Sequence, residues 1–127
     1  MCGISLIVNK DRTITNEIEI GSMSEKIIHR GPDDDGVFIN ENVAMSFRRL
    51  SVIDLSEAGH QPMISEQGNV IIFNGEIFNY IELRKELTQL GFRFKSKTDT
   101  EVILAAYEHW GDDCVLRFNG MWGFVIY

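Results

Sequence analysis

Apolar positions along the chain change period several times, and each change marks an element. Residues 3–8 (GISLIV) form a short β-rich apolar run that predicts a buried strand starting almost at the chain terminus. Ser22 with Glu25 three residues on fits a capping box, and Met23, Ile27 and Ile28 then share one helical face until the Gly31-Pro32 break. Residues 36–39 and 43–47 read as strands around a turn at Asn40-Glu41-Asn42, and 69–73 reads as a further strand ending at Asn74-Gly75. Between 79 and 90, Leu83, Leu87 and Leu90 follow the helical period, with Asn79 as cap and Gly91 as stop. Phe92 and Phe94 alternate as in a strand. Thr98 and Glu101 make a second capping box, Val102, Ile103, Ala106, Tyr107 and Trp110 make a buried face, and Gly111 closes that helix. Residues 121–127 (MWGFVIY) form a last strand.

No repeat, low-complexity stretch or linker divides the 127 residues, so 1–127 is read as one domain. Its last strand is apolar and has no turn or polar tail after it, which leaves backbone groups in need of partners. The expectation is a domain truncated at its C-terminal end, part of a longer chain. An apolar content of 44% with 24% charged residues is ordinary for a globular protein that buries a core. The excess of 19 acidic over 12 basic residues gives a net charge of −7 without any basic stripe, which argues against nucleic acid as a partner. The run Ile4–Val8 is too short for a signal-peptide core, and nothing approaches membrane-spanning length. A cytoplasmic protein without a membrane partner is expected.

Cys2 and Cys114 lie far apart, neither in a zinc-type spacing, and His29, His60 and His109 are isolated, so no metal site is assigned. The acidic run Asp33-Asp34-Asp35-Gly36 fails as a calcium loop, because Gly31 would fall at the first ligand position and Asn42 in place of the bidentate Glu. It is read as a solvated loop. The sharpest feature is Cys2 followed by Gly3. Removal of Met1 would give Cys2 a free α-amino group, which titrates near about pH 8 and can take the thiol proton, so nucleophile and base sit in one residue. The alternative is a small residue that merely starts a strand.

Six separated segments then become informative together. Cys2-Gly3-Ile4, HRGPD (29–33), RLSVID (49–54), NGEIFNY (74–80), TDTEVI (98–103) and FNGMWGF (118–124) resemble, in order and spacing, class II glutamine amidotransferases. HRGPD, RLSVID and GHQPM (59–63) are similar to the asparagine synthetase branch. The resemblance implies an α+β fold of the N-terminal nucleophile hydrolase type, four layers in the order αββα, with two stacked antiparallel sheets flanked by helices. It implies Cys2 as nucleophile, Asn74 and Gly75 as the oxyanion hole, and Arg30 as a support of the nucleophile loop. Arg49, Leu50, Val52, Ile53, Glu76 and Asp99 are the implied glutamine-binding residues.

The residue chemistry agrees with those roles. Glutamine carries an α-carboxylate and an α-ammonium, so its pocket needs a cation and at least one carboxylate. Arg49 suits the first, with Arg48 as the alternative if the register differs. Asp99 would be stabilised at a helix N-terminus whatever else it did, and Asn74-Gly75 is a common hairpin turn. The implied reaction is hydrolysis of glutamine to glutamate and ammonia through a Cys2 thioester, the ammonia passing to an ATP-dependent synthetase that amidates aspartate. No phosphate-binding glycine-rich loop occurs here. This domain is therefore expected to need no cofactor, with ATP and magnesium belonging to a C-terminal synthetase domain. The implied partners are L-glutamine and that domain, and a homo-oligomer through the final strand is a further expectation. One competing reading is a non-catalytic glutamine-binding or assembly fragment. Another is an N-terminal cysteine hydrolase of a different amide, for which Arg49, Glu76 and Asp99 would be wasted.

Overall fold

Two three-stranded antiparallel sheets carry the fold in the computed structural model, which describes residues 1–127. The first has the order β1 (Gly3–Val8), β3 (Val43–Arg49), β2 (Asp34–Asn40), and the second the order β4 (Met63–Ile64), β5 (Val70–Ile77), β6 (Gly120–Ile126). Helix α1 (Glu17–Lys26) precedes β2, while α2 (Tyr80–Gln89) and α3 (Asp99–Trp110) lie between β5 and β6 in sequence. None of these helices is long and apolar enough to cross a membrane.

The central strands explain the layering. In β3, Val43, Met45 and Phe47 pack with Val70 and Ile72 of β5 between the sheets. Arg48, one residue out of phase, reaches the opposite side, where its Nε donates to Ser24 of α1. In β5 the out-of-phase residues Ile71, Phe73 and Ile77 pack against Leu83 and Leu87 of α2 and Val102, Ile103 and Ala106 of α3. The result is the four-layer order α1, sheet, sheet, α2 with α3, the αββα arrangement that the resemblance implied.

Register decides where chemistry can gather. Gly3 stands opposite Arg48 and Asp34 opposite Arg49, so Cys2, the end of β3 and the start of β2 meet at one end of the first sheet. In the second sheet Asn74 faces Gly123 and Glu76 faces Met121.

Several local expectations are corrected. Helix α1 starts at Glu17 under an Asn16 cap, whose side chain accepts from Glu19 N, and Ser22-Glu25 lies inside it. Its buried residues are Ile20 and Ser24, the latter bonded by Arg48 of β3, whereas Met23 and Ile28 are exposed. Strand β5 does not end at Asn74-Gly75 but continues to Ile77 because β6 pairs with it throughout, so the pair is no hairpin turn. Asn79 does not cap α2: its amide donates to Arg117 O and accepts from Asn119 N, contacts that tie the helix start to the approach of β6. Residues 92–94 have no strand partner, and Phe92 and Phe94 instead pack on the helical core, Phe94 beneath Arg84. Thr98 caps α3, but the Glu101 carboxylate bonds Lys95 N and Ser96 N instead of closing a capping box. The short β4 had no periodic signal.

Candidate active site

Cys2 enters the site from the start of β1. Its Sγ accepts from Leu50 N at 3.3 Å and lies 3.6 Å from Leu50 O, so the thiol rests on the chain just past β3. Arg30, at the end of the turn after α1, donates from Nε to Cys2 O at 3.0 Å. The loop beyond it crosses β3 so closely that a Cβ on Gly31 would lie 2.4 Å from Arg48 backbone atoms. Asp33 then bonds twice to the same stretch, through its N–H to Arg49 O and through Oδ2 from Ser51 N. Asp34 and Asp35 belong to β2, and the acidic run is not a free solvated loop. Asp34 lies 2.8 Å from His60 Nδ1 and 3.9 Å from Arg49 Nη1, and Asp35 pairs with Arg48.

Opposite the thiol runs β5. Gly75 has φ +153°, and a Cβ there would stand 2.3 Å from Met121 O, so only glycine lets β5 and β6 approach this closely. Next to it, Asn74 Oδ1 is buried without a hydrogen-bond partner. An unpaired buried acceptor is uncommon, and here it lies in the wall of a cavity. The strand is fixed just before this point by Gln61, a buried residue whose Oε1 accepts from Phe73 N at 2.7 Å and whose Nε2 donates to Thr100 Oγ1.

Arg49 and Asp99 are both buried. Arg49 donates from Nη1 to Ser56 O at 2.9 Å and from Nη2 to Asp54 O, which occupies only part of its donor set. Arg48 points to α1 on the other face of the sheet, away from this site. Asp99, the first residue of α3, accepts from Ile77 N at 3.0 Å. Burial pushes its carboxyl above the ordinary 3.8, and the neighbouring Glu76 charge adds to the shift, while hydrogen bonds from Ile77 and the helix start oppose it.

These groups share one cavity of about 210 Å³. Cys2, Arg49, Leu50, Val52, Ile53, Asn74, Gly75, Glu76 and Asp99 all line it, and Arg30 stands behind Cys2 outside it. Met1 lines it too, and while Met1 is attached the Cys2 nitrogen is a peptide nitrogen. Sequence reasoning gave no role to Gln61, Asp54 or Thr100 and read Thr98 only as a helix cap, yet all four also reach the cavity. The GHQPM and RLSVID segments contained two of them, and a buried glutamine between strand and helix leaves no local pattern to find.

A cavity that holds a strand-leading cysteine, an asparagine with an unpaired amide oxygen and charges of both signs narrows the chemistry that sequence relatives can then decide. The profile of the glutamine amidotransferase domain matches residues 1–127. The chain belongs to that family. As an amidotransferase domain it is 44% identical over 130 residues to asparagine synthetase [glutamine-hydrolyzing] 1 of Bacillus subtilis, which covers all of this chain and 21% of that protein. A putative asparagine synthetase [glutamine-hydrolyzing] 2 of Methanocaldococcus jannaschii is 40% identical over 146 residues, covering 100% of the chain and 28% of the relative. Asparagine synthetase [glutamine-hydrolyzing] 1 of Arabidopsis thaliana is 35% identical over 128 residues, covering 99% and 21%. The chain thus spans between a fifth and three tenths of the length of these curated relatives. Among solved structures, the glutamine phosphoribosylpyrophosphate amidotransferase of B. subtilis superposes with a TM-score of 0.60 at 20% identity, over 70% of this chain and 22% of that one, a likeness of fold. The amidotransferase domain therefore shares its αββα layering with that structure.

Proposed function

We propose that this amidotransferase domain hydrolyses L-glutamine with Cys2 as nucleophile. Support comes from one observation above all: Cys2, Asn74, Gly75, Arg49, Glu76 and Asp99 converge on a single cavity. Once Met1 is removed, the Cys2 amine takes the thiol proton and the thiolate attacks the side-chain amide carbon. The oxyanion forms against the Asn74 amide and the Gly75 N–H. Collapse passes the amine's proton to the departing nitrogen and releases ammonia, leaving a thioester. Water then attacks that thioester, giving its proton to the amine, and glutamate leaves as the thiol is restored. Arg49 holds the substrate carboxylate, Glu76 and Asp99 its ammonium, and the loop carrying Leu50, Val52 and Ile53 covers it. Arg30 keeps the Cys2 carbonyl in place.

No cofactor enters these steps. In the parent protein, residues 1–127 are the leading part of a glutaminase unit joined to a C-terminal synthetase that uses ATP and magnesium to amidate aspartate with the released ammonia. The names and the greater length of the relatives support that part. A cytoplasmic location fits, because a reducing compartment preserves the free thiol of Cys2. The form that retains Met1 does not hydrolyse glutamine on this reading, since its Cys2 nitrogen has no basic lone pair.

Intact mass read together with a glutaminase assay tests the proposal. Protein lacking Met1 is expected to release ammonia from glutamine, and Cys2→Ala to lower the rate by roughly 10⁴-fold or more with little change in melting temperature. A Cys2→Ala variant that keeps most of its rate removes Cys2 from the mechanism.

A further inference from the structure

Asp54 ends the loop that overhangs the cavity, and its carboxylate is engaged on both oxygens. Oδ1 accepts from Ser56 N at 2.9 Å and from Ser56 Oγ at 2.6 Å, while Oδ2 accepts from Lys97 N at 2.9 Å. The carbonyl oxygens of Asp54 and Ser56 are the acceptors that hold the two ends of the Arg49 guanidinium. On the far side, Lys97 lies two residues before Asp99, next to Thr98, which caps α3 and lines the same cavity. One carboxylate therefore bridges the loop that fixes Arg49 and the loop that delivers Asp99, and no hydrogen bond joins the side chain of either charged residue to the other's loop.

The contacts suit an ionised carboxylate. The Ser56 hydroxyl, then the Lys97 and Ser56 amides, hold Asp54 down at about 2, with Arg49 adding a smaller attraction, so the bridge stays charged at any pH at which the enzyme would work. Hydrogen bonds to a charged acceptor are the strong class, and three of them converge here.

We propose that Asp54 is a positioning residue that fixes the separation between Arg49 and Asp99, and so makes the pocket selective for amides that carry both an α-carboxylate and an α-ammonium. The proposal rests on the assignment of those two residues to the ends of glutamine. A substrate held by both charges is sensitive to their spacing. A substrate held by Arg49 alone is not, because the loop can follow it.

The test compares L-glutamine with 4-carbamoylbutanoate, which has the same amide and carboxylate but no ammonium. In Asp54→Ala the KM for glutamine is expected to rise about 10- to 100-fold, as for a misplacement on the ångström scale. The kcat should stay within about threefold, and the KM for the analogue should barely move. Asp54→Asn should fall between, since its amide oxygen can accept from only one side. An unchanged KM for glutamine, or equal losses on both substrates accompanied by a lower melting temperature in both variants, overturns the proposal. If the unaltered protein does not hydrolyse glutamine, the functional assignment fails, and the bridge is judged by NMR instead. Asp54→Ala should then shift both the Arg49 Nε–H and the Asp99 amide signals, and a shift confined to one of them contradicts it.

Discussion

Strand β5 contributes to two regions that treat their polar groups in opposite ways. On the helix side, Ile71, Phe73 and Ile77 meet Leu87, Val102, Ile103 and Ala106, and every one of these side chains is apolar and buried. On the side turned to the other sheet, Val70 and Ile72 begin in the same manner, but Asn74 and Glu76 follow at the same alternation and line the cavity. Around that cavity stand an unpaired Asn74 oxygen, Gly75 at positive φ between the two polar residues and, from the start of α3, an aspartate with a raised pKa. The difference separates what holds the fold from what awaits a ligand. Packing completes the first region, and the second is completed by a molecule that brings its own donors and charges.

Substitutions on the two sides should therefore be read by different instruments. Leu87→Ala and Ile103→Ala, both wholly buried, are expected to cost up to about 5 kcal/mol of stability while leaving the glutamine KM of the folded fraction unchanged. Urea unfolding beside steady-state kinetics checks this, and a large KM effect without destabilisation would erase the contrast. Arg49→Ala and Asp99→Asn should do the reverse, weakening glutamine binding on the order of 2 to 5 kcal/mol each by leaving a substrate charge unpaired. Calorimetric titration measures it, and unchanged affinity in both would move the pocket elsewhere. Asn74→Ala should lose about 3 kcal/mol of transition-state stabilisation, seen in kcat/KM. Its stability should hold or rise slightly, because the unpaired buried oxygen disappears with the side chain.

The smallest expected effect is on pH. The raised pKa of Asp99 means that the fold binds its proton more readily than the unfolded chain does. That contribution to stability is full below the ordinary 3.8 and is lost as pH rises through the raised value. With Asp99 pairing the substrate ammonium as proposed, binding uses the ionised form, so the glutamine KM should climb as pH falls through a midpoint above 3.8, and the midpoint should disappear in Asp99→Asn. Asp54 has the opposite sign: its stabilisation is present above 3.8 and fades as pH drops toward about 2.

The same two regions explain how much of the molecule could be read from its sequence. β1, β3 and α3 were legible because a run of apolar residues at one period ends at a residue that cannot continue it, as at Gly111 after α3. The start of α1 was not, since Asn16 and Ser22 are both good caps. Burial of Ile20 and the bond from Arg48 of β3 to Ser24 decide between them, which is tertiary information. Asn79 misled for a related reason, because its amide is claimed by Arg117 and Asn119 far along the chain. Phe92 and Phe94 alternate like a strand but have no neighbour to pair with, so their side chains pack while their backbone does not form a ladder. In the site, Cys2 and Asn74 could be named from their chemistry and motif. Gln61 and Asp54 act through hydrogen bonds to distant backbone, Phe73 in one case and Lys97 in the other, and such links have no local spacing.

The central claim, that Cys2 with its own free amine is the nucleophile, is tested most directly by covalent trapping. An L-glutamine analogue carrying an alkylating group in place of the side-chain amide would be incubated with Met1-free and Met1-retaining protein, followed by intact mass and peptide mapping. The account predicts one adduct, on Cys2, formed in the Met1-free protein, slowed by L-glutamine and nearly absent when Met1 remains. An adduct on Cys114 with Cys2 untouched, or equal labelling of Cys2 in the two forms, would contradict it.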